Sequence, residues 1–229
     1  MSKILVTGGL GYIGSHTVVE LINKGLDVLI IDDLSNSHED VLNGIEKITS
    51  KKPHFEQLNL TDFSMLKKVI EEEEIDSIIH FAAFKAVGES VEKPLAYYHN
   101  NVLSLINLLQ VCEENDISKF VFSSSCTVYG QPDRLPVTEE FPKVPAESPY
   151  GNTKQICEEI IEDYCKANPD FKAISLRYFN PTGAHDSSLI GELPLGTPNN
   201  LVPYITQTAI GQRNQLNVFG GDYDTPDGT

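Results

Sequence analysis

The chain has 229 residues, 40% of them apolar, enough for one substantial domain or one domain with part of a second. Its 17 basic and 33 acidic residues leave a formal charge of −16, which argues against a nucleic-acid or anionic-membrane surface, since phosphate would be repelled. A small phosphorylated ligand stays open, because backbone amides and a few local cations can hold one, and the only arginines are Arg134, Arg177 and Arg213.

Ile4-Leu5-Val6 is a short apolar strand running into Thr7-Gly8-Gly9-Leu10-Gly11-Tyr12-Ile13-Gly14. A helix follows and stops at Asn23-Lys24-Gly25, a cation and a glycine at a helix C-terminus. Val28 to Ile31 is a second strand, ending in Asp32-Asp33; such unbroken β-branched runs suit parallel strands buried on both faces. A strand at Phe55–Leu58 precedes a helix from about Ser64 to Glu74, whose Glu71–Glu74 run reads as a solvated helix end. Ile78–Phe81 is a strand, 94–114 one long helix, and Phe120–Phe122 another strand. Ser148-Pro149 supplies an N-cap and a proline at the first position of a helix reaching Ala167, and Ala173–Tyr178 closes the series. Strands alternating with helices predict a doubly wound parallel α/β sheet of Rossmann type. From Asn180 a loop of about twenty residues, punctuated by glycine and proline, reads as a binding segment. A helix at 201–211 and a strand at 216–219 follow. The expected domains are therefore 1–180 for dinucleotide binding and 181–229 as part of a smaller substrate lobe.

Cys112, Cys126, Cys157 and Cys165 form no C-x-x-C pair. Free thiols in a reducing cytoplasm are expected, with no disulfide framework and no metal site. Met1-Ser2-Lys3 enters a strand at once, leaving no room for a signal peptide, and no apolar run reaches the ~20 residues of a membrane span. A soluble cytoplasmic protein is the expectation.

Glycines 9, 11 and 14 fit G-x-G-x-x-G, and glycines 8, 11 and 14 fit the related G-x-x-G-x-x-G. Glycine lets the backbone turn tightly and lets a pyrophosphate approach a helix N-terminus with no Cβ in the way. A ligand-free glycine turn is the plain alternative, but strand, turn, helix and a second strand ending in an acid form the expected context. Asp32 lies about 20 residues beyond the glycines, where a carboxylate accepts hydrogen bonds from ribose hydroxyls and repels a 2′-phosphate. The cofactor predicted is NAD.

Tyr150 and Lys154, four apart on a helix, face the same way. A tyrosine hydroxyl near its reference pKa of about 10 is too weakly acidic for a neutral-pH base, and a neighbouring ammonium favours its phenolate. Ser125, at the end of the fifth strand, can bond a substrate hydroxyl and help carry its proton; as a plain structural residue it would cap backbone groups at the strand end.

Together these residues resemble the extended short-chain dehydrogenase/reductase superfamily, and within it the UDP-glucose 4-epimerases. The likeness runs from Lys3 to Thr229 and is carried by the glycine turn through His16, Lys85–Ser90, Ser123–Gly130, Leu176–Pro181 and Pro198–Leu201. It implies inversion of the sugar C4 through a transient 4-keto sugar, with tightly held NAD and no net redox change. Tyr150 would be the base, Ser125 would assist proton movement, and Lys154 would tune Tyr150 and hold the nicotinamide ribose. Beside Gly8, Gly11, Tyr12, Ile13, Gly14 and Asp32, the resemblance implies cofactor contacts from Asn36, Ser37, Asn59, Leu60, Phe81, Ala82, Ala83, Lys85, Asn100 and Tyr178. For the UDP-sugar it implies Phe179, Asn180, Asn199, Asn200, Leu201, Asn217 and Phe219, together with Ser125 and Tyr150; the paired asparagines are otherwise ordinary loop-turn residues.

Three departures stand out. Asn59 replaces an aspartate common in relatives, and its amide can still hydrogen-bond the adenine. Cys126 adjoins Ser125 and reads first as a small packed residue. The family would also continue into further substrate-binding sequence, so a truncated chain that binds NAD and turns over sugar poorly is expected. A 4,6-dehydratase would need an Asp-Glu pair where Cys126 and Thr127 stand. UDP-N-acetylglucosamine or UDP-glucuronate epimerases, or a non-catalytic NAD-binding protein, remain the alternatives. A homodimer is expected through the helices after Pro94 and at Tyr150; the stripe Val102, Leu105, Ile106, Leu109 suits either a partner or the sheet.

Overall fold

The computed structural model describes residues 3–218, 220–226 and 228, and the chain divides into two compact units, residues 1–192 and 193–229. The first holds a six-stranded parallel sheet in the order β3-β2-β1-β4-β5-β6. Its strands are β1 (Lys3–Thr7), β2 (Asp27–Asp32), β3 (His54–Gln57), β4 (Ile75–His80), β5 (Lys119–Ser125) and β6 (Lys172–Tyr178). Strand order reverses between β1 and β4, so the crevice beyond their carboxyl ends is where a doubly wound sheet binds ligands.

Both faces are covered. On one, α1 (Tyr12–Asn23) and α2 (Val41–Thr49) close a core of Val6, Val18, Ile30 and Ile45. On the other, α3 (Phe63–Glu72), α6 (Leu103–Glu114) and α7 (Pro149–Ala167) enclose Leu5, Ile31, Leu66, Leu105, Phe120 and Ile161. Complete burial of Leu5, Leu29, Ile30 and Ile31 is what their unbroken apolar runs require. Gly25, at φ 79°, ends α1 with its amide on the Ile22 carbonyl at 2.9 Å. Ser148 caps α7 by accepting from the Gly151 amide at 3.1 Å, with Pro149 at the first turn.

Several expectations are corrected. The helix expected across 94–114 is α5 (Pro94–Tyr97), a π-helical turn (Tyr98–Val102) and then α6; apolar periodicity alone does not distinguish a π turn within a helix. The stripe on α6 packs on the sheet: Leu105 and Leu109 are core, and only Ile106 stays substantially exposed, at 37%. Glu71 and Glu72 are solvated, but Glu73 leaves the helix and bonds Lys3, with His54 Nδ1 2.9 Å from it. Both α2 and α4 (Val87–Glu92) escape the sequence reading, being short and set among polar residues.

The segment after Asn180 begins inside the first unit. Ala184 and Gly191 bridge, the His185 amide donates to Ile190 O at 3.0 Å, and Ile190 is buried beside α2. A Cβ on Gly44 of α2 would lie 2.7 Å from Leu189 O, so the backbones meet there directly. Residues 183–192 thus form a strap tied to the glycine turn, with Tyr12 Oη donating to Gly183 O at 2.7 Å and Lys85 3.6 Å from Glu192. The second unit contains α8 (Leu201–Ala209), with Arg213 donating to Gln207 at 2.7 Å and lying over the Tyr204 ring. The strand expected at 216–219 is not formed by Leu216–Val218, and Phe219 lies outside the described residues.

Candidate active site

The glycine turn follows from contacts. Gly8 takes φ 67°, and a Cβ there would fall 2.7 Å from the Ala82 amide nitrogen, in the turn after β4. A Cβ on Gly14 would fall 2.2 Å from Gly8 O, and one on Gly11 3.2 Å from the same oxygen. Gly9 serves the core instead, pressed on Ile30. The spacing 8-11-14 is therefore the one that shapes the cradle. Gly11 caps α1 without a side chain, leaving the amides of Tyr12 and Ile13 at an uncapped helix start, where an anion is favoured.

Asp32, 7% exposed, accepts from the Leu10 amide at 3.1 Å, the Leu34 amide at 3.0 Å and Ser37 Oγ at 2.8 Å. A carboxylate offers about four acceptor positions, so one remains for a hydroxyl. Asn36 is exposed in the same loop. Asn59 donates to Asp33 at 3.1 Å and accepts from Thr61, while Leu60 is buried with its carbonyl on Asn107 at 2.8 Å. Phe81, Ala82 and Ala83 form the turn after β4, with the Phe81 ring 6.4 Å from that of Tyr178 at the end of β6.

Asn100 lies on the π-helical turn and donates to Asn101 Oδ1 at 3.0 Å. Asn101 is a residue that sequence reasoning missed. Buried, it accepts from the Phe84 amide at 2.8 Å and donates to Phe84 O at 3.0 Å and to Thr153 at 3.1 Å. It joins the turn after β4 to α7; the only signal in the sequence was a doubled asparagine within an apolar helix.

Ser125, Tyr150 and Lys154 meet at the carboxyl end of β5. Ser125 Oγ accepts from the Thr127 amide at 3.2 Å, which is the capping role, and its side chain also hydrogen-bonds Tyr150. The structural and chemical roles coexist. Burial pushes the Tyr150 hydroxyl above its ordinary pKa, and the Ser125 bond opposes that rise. Lys154 is 3% exposed, donates to Ser123 O at 2.6 Å, and sits 5.9 Å from the Tyr150 ring centre. Burial lowers its pKa to about 8, so it stays largely charged at neutral pH. His80, wholly buried with Nδ1 2.7 Å from Thr7 Oγ1, is driven to about 3 by burial and by Lys154, and is neutral.

Phe179 and Asn180 are exposed just beyond β6. Asn199, Asn200, Leu201 and Asn217 belong to the second unit, with Asn200 immediately before α8. Among the described residues no group of His, Cys, Asp and Glu could hold a metal, and no helix is long and apolar enough to cross a membrane.

Comparison with known proteins gives concordant matches. The family described as "NAD dependent epimerase/dehydratase family" matches residues 4–224. UDP-glucose 4-epimerases of Dictyostelium discoideum and Haemophilus influenzae are 51% and 53% identical over 99% of this chain, which covers 66% and 67% of their own lengths. The chain thus spans about two thirds of these relatives. Among solved structures, the Bifidobacterium longum UDP-glucose 4-epimerase with NAD+ and UDP superposes with a TM-score of 0.97 at 47% identity, covering 100% of this chain and 68% of that one. The Campylobacter jejuni UDP-Glc/GlcNAc 4-epimerase gives 0.83 at 38%, with the same coverage of both chains.

Proposed function

We propose, from the premise that the chain belongs to the NAD dependent epimerase/dehydratase family, that it interconverts UDP-glucose and UDP-galactose by inverting C4, with NAD retained throughout. The observation that carries this reading is the convergence of Ser125, Tyr150 and Lys154 at the end of β5, in the same unit as the glycine cradle.

The residues fit the cofactor. The cradle of Gly8, Gly11 and Gly14 is space a Cβ would fill, the start of α1 suits a pyrophosphate, and Asp32 keeps an acceptor position for a ribose hydroxyl. Phe81, Ala82, Ala83, Lys85, Asn100 and Tyr178 would border the nicotinamide half, and Asn36, Ser37, Asn59 and Leu60 the adenosine half. When bound, NAD supplies the acceptor, and then the donor, of the hydride that leaves and returns to C4.

Tyr150 takes the proton of the sugar 4-hydroxyl and later returns it. Lys154, charged at neutral pH and 5.9 Å from the Tyr150 ring centre, would favour the phenolate by its charge, while the Ser125 hydrogen bond opposes the burial that disfavours it. Ser125 holds the sugar oxygen and shares the proton in transit. Phe179, Asn180, Asn199, Asn200, Leu201, Asn217 and Phe219 would contact the UDP-sugar. The position after Ser125 holds Cys126-Thr127 in place of an acidic pair, which favours epimerisation over water elimination. A homodimer is proposed across α6 and α7, where Ile106 faces outward; light scattering on the eluting peak tests it, and a monomer at tens of micromolar overturns it.

The test is conversion of UDP-galactose to UDP-glucose by this chain beside a chimaera carrying the remaining third of the Dictyostelium relative. NAD is expected to survive gel filtration with both proteins. Turnover is expected in the chimaera, and Tyr150→Phe should lower it by about 10²–10⁴-fold. Absence of bound NAD, or a Tyr150→Phe chimaera as active as its parent, overturns the reading.

A further inference from the structure

Behind the site lies a buried charge cluster that the proposed chemistry does not use. Glu158, 2% exposed, sits on α7 one turn after Lys154 and on the same face. Its carboxylate accepts from Ser124 Oγ at 2.5 Å and from Arg177 Nε and Nη2 at 3.0 and 2.8 Å, and Lys143 Nζ lies 3.2 Å away. Arg177 also donates to Tyr129 Oη at 2.9 Å and stacks over that ring at 4.8 Å.

Each partner adjoins a site residue. Ser124 precedes Ser125, Arg177 precedes Tyr178, and Tyr129 ends the 3-10 turn (Cys126–Tyr129) that starts directly after Ser125. One carboxylate therefore ties together β5, β6, α7 and that turn. Burying such a cluster is a poor route to stability, since apolar packing of equal volume often does as well. Its placement calls for another reason.

The surroundings of Lys154 supply one. The Phe122 and Tyr150 rings and Ser123 O lie against its ammonium, and the charge-bearing groups coupled to it from farther off are His80, Cys157 and, one turn on along α7, Glu158. His80 is neutral, and burial pushes the Cys157 thiol up to about 11, so that it too is neutral. Glu158, held ionised by Arg177, Ser124 and Lys143 against its own burial, is the group among these that carries negative charge.

We propose that Glu158 is a positioning residue for Lys154 and Ser125: from beneath the site it supplies the counter-charge for the buried ammonium and anchors the strand end that presents the hydroxyl. This rests on the reading of Lys154 as the partner of Tyr150. In Glu158→Gln, Lys154 loses its counter-charge while Arg177 and Lys143 are left without their shared anion. Both changes disfavour a charged Lys154.

The test is a 13C NMR titration of lysine Cε in the purified chain, with the Lys154 signal assigned by Lys154→Met. A fall of about one pH unit or more in its midpoint is expected for E158Q, with E158D nearer the parent. Leu108→Ala, a truncation in the core away from the cluster, should leave the midpoint in place. An E158Q protein with native circular dichroism and an unmoved midpoint overturns the proposal, as does an equal shift in L108A. If E158Q does not fold, E158D decides: a smaller shift in the same direction supports the proposal and no shift overturns it. A shifted midpoint in a chain whose chimaera lacks epimerase activity would sink the functional reading alone. An unmoved midpoint in an active chimaera would sink the positioning role alone.

Discussion

Gly14 shows how much one hydrogen atom decides. Its Cα faces Gly8 O so closely that an added methyl would sit 2.2 Å from that oxygen, and the oxygen belongs to backbone that cannot swing away. Gly14→Ala should therefore push α1 off the turn and abolish NAD retention on gel filtration, whereas Gly25→Ala, with open space around it but φ 79°, should cost about 1 kcal/mol or somewhat more in stability and leave binding intact. A Gly14→Ala protein that retains NAD would show that the cradle does not hold the pyrophosphate. The glycine-rich turn, Asp32 and the Tyr150–Lys154 pair were all legible in the sequence, because each depends on residues close together in the chain. Asn101 and Glu158 were not. Their value lies in Phe84, Thr153, Ser124 and Arg177, partners that only the folded chain brings to them.

Elements were legible where one period and one chemistry coincide. The strands with continuous apolar runs and the α7 helix with its Ser148-Pro149 start are of that kind. The π-helical turn at Tyr98–Val102 was not, since no residue type in Tyr-His-Asn-Asn-Val marks a change of hydrogen bonding within a continuous helix. The strap at 183–192 read as part of a binding loop because its order comes from outside: Ile190 joins the core cluster with Leu42 and Ile45 of α2, and Gly44 leaves room for the strap's backbone. Ile190→Ala should lower stability by about 2–4 kcal/mol and expose 183–192 to limited proteolysis ahead of the sheet. Equal cleavage rates for parent and variant would show that the strap is held by its polar ties alone.

For the whole molecule, the buried, neutral His80 links stability to pH. Its folded pKa of about 3 lies below the ordinary value of 6.5, so only the unfolded chain takes up this proton as pH falls from 6.5 towards 3. The stabilisation is complete above about pH 6.5 and is lost progressively below it, at up to about 1.4 kcal/mol per pH unit. Urea midpoints measured from pH 7.5 to pH 5 should fall, and His80→Gln should flatten that slope; a slope unchanged in the variant would place the acid sensitivity elsewhere. At this scale strands alternating with helices require a parallel sheet covered on both faces, which is why the fold class could be read from the chain. By itself the sequence determined the parallel sheet, the glycine cradle with its acid, and the four-residue spacing that puts Tyr150 and Lys154 on one helix face. Each is set by periodicity or by backbone sterics acting over a few residues. Only the tertiary structure decided which glycines form the cradle, that the α6 stripe packs on the sheet, and that Ser124, Arg177 and Lys143 converge on the Glu158 carboxylate. Those are matters of what meets across the sheet, where burial and pairing act between residues far apart in the chain.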